Sequence, residues 1–193
     1  MKILLFTILF ASNLVQAETT IYLVRHAEKI TTTGVKNPDL TQIGQFRAHN
    51  IANFLSSAGI TQIFSTKYNR TIQTAQPLAD FLNIEIKYYD PSKLIEFSEM
   101  LKKSSGNILV VGHSNTTPKV ANLLSGKMIK PIEEKEYDNL YQVIKMDDKI
   151  ILNLFKTIPS YGLDNTKTKT TSDDHKAKMS IIMQPRTDSK NEN

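Results

Sequence analysis

The chain has 193 residues, of which 40% are hydrophobic, and this is enough for one domain with a buried core. Its 24 basic and 19 acidic residues are mixed along the sequence, so the net charge of +5 does not indicate nucleic-acid binding. The sequence contains no cysteine, which excludes disulfides and thiolate metal sites.

The first 17 residues have the three-part pattern of a secretory signal peptide. Lys2 gives a positive start, residues 3–10 are apolar, and Val15-Gln16-Ala17 is a small-residue cleavage pattern. The apolar run is too short to span a bilayer, so no stable membrane insertion is expected. We expect cleavage after Ala17 and an exported protein, either periplasmic or secreted. The alternative is a buried N-terminal strand or helix.

A short apolar run at residues 21–24 ends abruptly in Arg25 and His26. Such a run is typical of a strand buried on both faces in the middle of a parallel sheet. Ligands of open α/β sheets bind at the carboxyl ends of the strands, so a cation beside an imidazole there indicates phosphate chemistry. The alternative is a pair of side chains that simply faces water.

Two further apolar runs have the same design. Residues 63–66 lead into a helix whose first turn contains Arg70, and residues 108–111 are followed by His113. If these strands are neighbours of the first in one parallel sheet, two arginines and two histidines converge on one crevice.

The segments between these strands predict helices and one more strand. Thr41 can cap the helix after the first strand, and residues 84–88 alternate as a third strand does. Asp90 followed by Pro91 predicts the start of the next helix, because aspartate is a good N-cap and proline suits the first helical position.

In the C-terminal part of the chain, the hydrophobic pattern changes to that of two consecutive strands. Residues 140–146 and 150–155 alternate around a short polar turn and predict an antiparallel hairpin at one sheet edge. The chain therefore predicts a three-layer α/β/α sandwich with a mostly parallel central sheet, formed by residues 18–159. Residues 160–193 are polar and predict a disordered tail.

Four motifs, in order along the chain, resemble the histidine phosphatase superfamily, the phosphoglycerate-mutase-like group. They are Arg25-His26-Ala27-Glu28, Leu40-Thr41-x-x-Gly44, the Ser-Thr-x-x-x-Arg-Thr-x-x-Thr-Ala segment over residues 65–75, and Gly112-His113-Ser114. The compact length is similar to that of the phosphatase members.

The resemblance implies a phosphomonoester hydrolase that needs no metal and no cofactor. It implies that His26 is the nucleophile that becomes phosphohistidine, and that Arg25, Arg70 and His113 bind the phosphoryl group. The partner is then a small phosphorylated substrate or a phosphoprotein. The physiological substrate and the oligomeric state stay open.

The group that protonates the leaving oxygen is where this chain departs from the family. Many members place a glutamate after the third strand, but here that strand is followed by Asp90. Asp90 is our candidate acid and Glu28, beside the nucleophile, is the alternative. A helix N-cap is the competing role for Asp90, and it would hold the carboxylate ionised.

Three other functions compete with a phosphatase. A member of the same fold could bind phosphate without catalysis, or it could be a phosphomutase. Gly112-His113-Ser114-Asn115-Thr116 is also close to the G-x-S-x-G nucleophile elbow of serine hydrolases. A serine hydrolase would leave the Arg25-His26 motif unexplained, and its only later histidine would be His175.

Overall fold

A computed structural model describes residues 18–146 and 149–158. Over these residues the chain forms six strands and four helices. In chain order they are β1 (Thr19–Arg25), α1 (Gln42–Leu55), β2 (Ile60–Ser65), α2 (Asn69–Leu82), β3 (Ile86–Tyr88), α3 (Leu94–Lys103), β4 (Asn107–Gly112), α4 (Thr117–Ser125), β5 (Asn139–Met146) and β6 (Lys149–Lys156).

All six strands belong to one sheet, in the order β3-β2-β4-β1-β5-β6. The first four strands of this order run parallel, whereas β5 pairs antiparallel with β1 and β6 pairs antiparallel with β5. The carboxyl ends of β1 and β4 therefore lie side by side in the middle of the sheet. The mostly parallel sheet and its antiparallel edge hairpin confirm the predicted arrangement.

Alternation along the central strands sorts their side chains into two cores. Ile21 and Leu23 of β1 pack with the apolar residues of α3 and α4 on one face of the sheet. Val24 of β1 packs with those of α1 and α2 on the other face. Both faces of the sheet are covered, which explains the apolar runs in the middle of β1 and β4, and the three layers form the predicted α/β/α sandwich.

The start of α1 is fixed by its cap. The Thr41 side chain accepts a hydrogen bond from the Gly44 N–H at 3.0 Å, as predicted. The predicted start of α3 is wrong, because this helix begins at Leu94 with Lys93 in the N-cap position. The Asp90 side chain instead accepts hydrogen bonds from the N–H and the hydroxyl of Ser92, which close a separate turn before the helix.

Two sequence predictions lie outside the described residues: the signal peptide at residues 1–17 and the polar tail at residues 160–193. Within the described ranges, none of the helices has the length and apolar character needed to cross a membrane.

Candidate phosphoryl-transfer site

The two histidines meet where β1 and β4 end. Arg25 lies opposite Gly112 in the parallel register, and the His26 N–H donates a hydrogen bond to the Gly112 carbonyl at 2.9 Å. This bond continues the strand pairing by one residue. The imidazole rings of His26 and His113 consequently lie edge to face, with their centroids 5.5 Å apart.

The His26 ring is buried and held as one tautomer. Its Nδ1 lies 2.8 Å from the Ala27 carbonyl oxygen. A carbonyl can only accept, so Nδ1 carries the proton of the neutral ring and Nε2 keeps its lone pair. Burial, helped by Arg25, His113 and Arg70, lowers the pKa of His26 to about 3. At neutral pH the ring is therefore uncharged, with the lone pair of Nε2 available for bonding.

His113 is oriented by Arg70 and Thr66. An Arg70 Nη2 lies 3.4 Å from His113 Nδ1, and His113 Nε2 lies 3.0 Å from the Thr66 hydroxyl. Since a guanidinium can only donate, Nδ1 is the acceptor and Nε2 carries the proton. Burial and the neighbouring Arg70 lower the pKa of His113 to about 4. Both imidazoles are thus neutral beside two fixed cations.

Arg25 is buried and is held by the loop that precedes β5. Its Nη1 donates to the carbonyl oxygens of Glu133, Glu134 and Glu136 at 2.9–3.0 Å. The Tyr137 ring lies against the guanidinium, 4.1 Å from Cζ. These contacts fix the direction of the guanidinium before any substrate arrives.

Both arginines keep a buried donor for a ligand. The Nε groups of Arg25 and Arg70 are buried and have no hydrogen-bond partner among the described residues. Leaving such a donor unpaired is costly, and an oxyanion would satisfy both. Arg25, Arg70, His26 and His113 all line one cleft of about 570 Å³. The structure therefore brings together the four basic residues that the sequence selected.

Glu28 lies in a buried ion pair. Its carboxylate accepts hydrogen bonds from Arg47 Nε at 2.9 Å and from Arg47 Nη2 at 2.7 Å. Arg47, which is 0% exposed, also donates to the Thr157 hydroxyl and the Ile158 carbonyl. This bidentate pair anchors the loop after β1, and Glu28 is not among the residues that line the cleft.

Asp90 lies on the surface with its carboxylate turned to Ser92. These hydrogen bonds lower the pKa of Asp90 and favour the ionised form. Pro91 and Ser92 line the cleft, whereas Asp90 does not. Neither of the two predicted acids, Asp90 and Glu28, is therefore among the described residues that line the cleft with His26.

Several lining residues had no role assigned from the sequence. They are Lys29, Tyr68, Ser92, Asn115 and Glu134. Glu134 is the only carboxylate that lines the cleft within the described part of the chain, and its Oε2 lies 3.5 Å from Arg25 Nη2. Lys29 could have been found from its place beside the Arg-His motif. Glu134 gave no such signal, because its loop reaches Arg25 across more than 100 residues of sequence.

The described residues contain no group of three or more histidine, aspartate or glutamate side chains that could hold a metal ion.

The family model of the histidine phosphatase superfamily (branch 1) matches residues 21–98, which contain the Arg-His strand, α1 and the Arg70 helix. This match supports membership of the chain in the histidine phosphatase superfamily. The probable phosphoglycerate mutase GpmB of Yersinia pestis (strain Pestoides F) is 40% identical to this chain over 65 residues. That match covers 31% of this chain and 30% of the relative. The chain thus spans about a third of the length of the curated relatives it matches.

Solved structures share the fold of this chain at low sequence identity. The protein histidine phosphatase SixA complexed with tungstate matches with a TM-score of 0.56 and 16% identity, over 71% of this chain and 96% of that one. Phosphoserine phosphatase from Entamoeba histolytica, in complex with 3-phosphoglyceric acid, matches with a TM-score of 0.53 and 16% identity, over 72% and 96%. Phosphoglycerate mutase from Bacillus anthracis str. Sterne matches with a TM-score of 0.54 and 16% identity, over 73% of this chain and 94% of that one.

Proposed function

We propose that this chain hydrolyses phosphoesters through a phosphohistidine on His26. The observation that carries the proposal is the buried, neutral His26 with an Nε2 lone pair, in one cleft with Arg25 and Arg70. A neutral nitrogen nucleophile beside fixed cations is what phosphoryl transfer requires.

In the first step, the Nε2 lone pair forms a bond to phosphorus while the bond from phosphorus to the leaving oxygen breaks. The electron pair of that bond stays on the leaving oxygen, which then takes a proton. Arg25 and Arg70 donate to the equatorial oxygens with the Nε groups that lack protein partners. The phosphoryl charge also favours protonation of His113, which adds a third cation to the clamp.

In the second step, water attacks the phosphorus and the P–N bond breaks. The electron pair returns to Nε2, the attacking water loses one proton, and inorganic phosphate leaves. Water reaches this edge of the site, because the Glu134 side chain on the cleft lining is 77% exposed. An open cleft favours hydrolysis over a mutase reaction, in which the phosphoenzyme has to be protected from water.

Glu134 is the group we propose for both proton transfers. Before substrate binds, its carboxylate lies beside the Arg25 guanidinium. An arriving phosphate takes over that guanidinium and leaves the carboxylate beside the substrate. Glu134 can then protonate the leaving oxygen and, once ionised, accept a proton from the attacking water.

The substrate class of the site is a phosphorylated small molecule or a phosphoprotein. Among proteins of this fold, phosphoserine phosphatase is named for a small phosphoester and SixA is named as a protein histidine phosphatase. Tungstate in the SixA structure is a tetrahedral oxyanion, as phosphate is, and this agrees with the oxyanion clamp proposed here.

A panel of phosphorylated compounds tests the proposed function. The purified chain is assayed with an aryl phosphate, alkyl phosphates and a phosphohistidine peptide, each with and without chelator. We expect phosphate release that survives chelation and disappears in His26→Ala. Release that His26→Ala retains would overturn the assignment of the nucleophile.

A further inference from the structure

The strand β6 lies at one edge of the sheet. It is last in the strand order, so β5 is its one strand neighbour among the described residues. It pairs with β5 residue by residue from Lys149 to Lys156, without a bulge. Edge strands are usually protected by a proline, a bulge or a charge within the strand, because their N–H and C=O groups can otherwise pair with another chain. Between its two terminal lysines, β6 has none of these features.

The hydrogen bonds to β5 determine which backbone groups of β6 face outward. Just past the strand, the Thr157 N–H donates to the Asp138 carbonyl at 2.8 Å. In an antiparallel pair every second residue bonds to the neighbouring strand, and the residues between them direct their N–H and C=O groups to the other side. The odd-numbered residues of β6 therefore bond to β5. The even-numbered residues Ile150, Leu152 and Leu154 direct their backbone groups away from it.

The side chains of β6 are apolar on both faces of the sheet. Ile150 and Leu154 are 38% and 53% exposed. By alternation they share a face with Leu152, which packs against the core beneath α3 and α4. On the other face Phe155 is 39% exposed, and its ring lies 6.2 Å from that of Phe54. Water therefore covers apolar side chains that a further strand would bury.

The two ends of β6 differ in charge. Lys149 begins the strand and is exposed. At the other end, Lys156 Nζ lies 2.8 Å from the Glu136 carboxylate and 3.1 Å from the Asp138 carboxylate, so two carboxylates face one ammonium. When two copies of the strand pair antiparallel, the basic end of each meets the acidic end of the other. A second copy of the chain therefore complements this edge in charge as well as in apolar surface.

From this arrangement we propose that the chain forms a dimer in which the β6 strands of two copies pair antiparallel about a two-fold axis. With Leu152 at the axis, it lies opposite the partner's Leu152, and Ile150 lies opposite the partner's Leu154. This register gives all three outward-facing residues a partner and buries their aliphatic side chains together. The catalytic clefts of the two copies then lie at opposite ends of the joined sheet, so the inference does not depend on the proposed function.

Analytical ultracentrifugation of the purified chain over a series of concentrations tests the dimer. We expect a mass that rises with concentration to twice that of one chain. In Leu154→Lys the dissociation constant should rise about tenfold or more, because the two-fold axis places the new charge in the interface twice and a tenfold change needs about 1.4 kcal/mol. Circular dichroism checks that the variant is folded.

Phe81→Lys is the matched control. Phe81 is 69% exposed on α2, and this helix packs on β2, β3 and β4, in the half of the sheet away from β6. It introduces the same charge and should keep the wild-type dissociation constant. A dimer that Leu154→Lys leaves unchanged would overturn the inference. A monomer at every concentration would also overturn it, and would leave the edge to an extended peptide of another protein.

A single cysteine tests the register, because the sequence contains none. Residues paired at the axis have Cα atoms about 5.5 Å apart, a distance that a disulfide can span. Oxidised Leu152→Cys should therefore form a covalent dimer. Leu154→Cys should not, since the two changed positions lie four residues, or about 13 Å, apart along the strands. Crosslinking of Leu154→Cys in preference to Leu152→Cys would contradict the inference, and this comparison decides it even if Leu154→Lys fails to fold.

Discussion

The imidazole rings of His26 and His113 lie edge to face, 5.5 Å apart, and both are neutral. Each carries its proton on a different nitrogen, Nδ1 in His26 and Nε2 in His113, because their hydrogen-bond partners differ. Arg25 and Arg70 supply the fixed charge of the site. In the mechanism proposed above, the first ring is the nucleophile, and the second gains charge when phosphate binds.

The stability of the protein should fall as the pH is lowered through the weakly acidic range. The unfolded chain binds protons on its histidines near pH 6.5, whereas burial keeps His26 neutral to about pH 3 and His113 to about pH 4. The unfolded state thus binds more protons between these values. From pH 7.5 to pH 5, His26 alone should lower the free energy of unfolding by about 2 kcal/mol. Urea unfolding at both pH values measures this loss.

His26→Asn is the control for that prediction. Asparagine does not titrate, so the decrease between the two pH values should be smaller in the variant by the share that His26 contributes. An equal decrease in the variant and the wild type would show that His26 is not held neutral by the fold.

Gly44→Ala should destabilise the protein, although alanine normally stabilises a helix relative to glycine. A methyl group at position 44 would overlap the Glu28 carbonyl oxygen. That oxygen accepts the Thr41 N–H at 2.9 Å, and the Glu28 carboxylate is bound to Arg47, so this backbone cannot move freely. We expect a loss of about 1–3 kcal/mol in the free energy of unfolding. A higher thermal midpoint for Gly44→Ala would contradict the close packing of α1 on the loop after β1.

The proton donor can be identified by comparing two carboxylate-to-amide changes. Glu134→Gln should lower kcat for an alkyl phosphate by about 10²-fold, because a poor leaving group needs an acid. It should change hydrolysis of an aryl phosphate much less. Asp90→Asn should affect the two substrates equally and only slightly. A selective loss in Asp90→Asn would instead return the role of the acid to Asp90.

Export of the protein is a proposal that rests on the N-terminal sequence. The mature chain should begin at Glu18, because the small-residue pattern ends at Ala17. N-terminal sequencing of protein from fractionated cells measures this. An intact Met1 in the cytoplasmic fraction would contradict the proposal.

The sequence predicted the parts of the fold that depend on apolar pattern. Continuous apolar runs placed β1 and β4 in the sheet centre, and alternation placed the hairpin of β5 and β6 at its edge. The start of α3 was not predictable in this way. An aspartate at this position can cap a helix or close a turn. Asp90 closes a turn with Ser92, and α3 begins only at Leu94.

The sequence also predicted the convergence of the four basic side chains, because each follows a strand or begins a helix at one sheet edge. The surroundings of Arg25 were not predictable. Glu134 and Tyr137 belong to a loop with no periodic pattern, and only the folded chain brings them against Arg25. Likewise, the ion pair of Glu28 with Arg47 depends on how α1 packs on the loop after β1.

The covalent intermediate on His26 is the central claim, and trapping it is the most direct measurement. A phosphate-labelled aryl ester is mixed rapidly with enzyme, quenched in alkali and digested, and the labelled peptide is identified by mass spectrometry. We predict one acid-labile, base-stable phosphoryl group on His26, absent in His26→Ala, which should lose turnover by about 10⁴-fold or more because it lacks the nucleophile. A label on any other residue, or near wild-type turnover in His26→Ala, would contradict the mechanism.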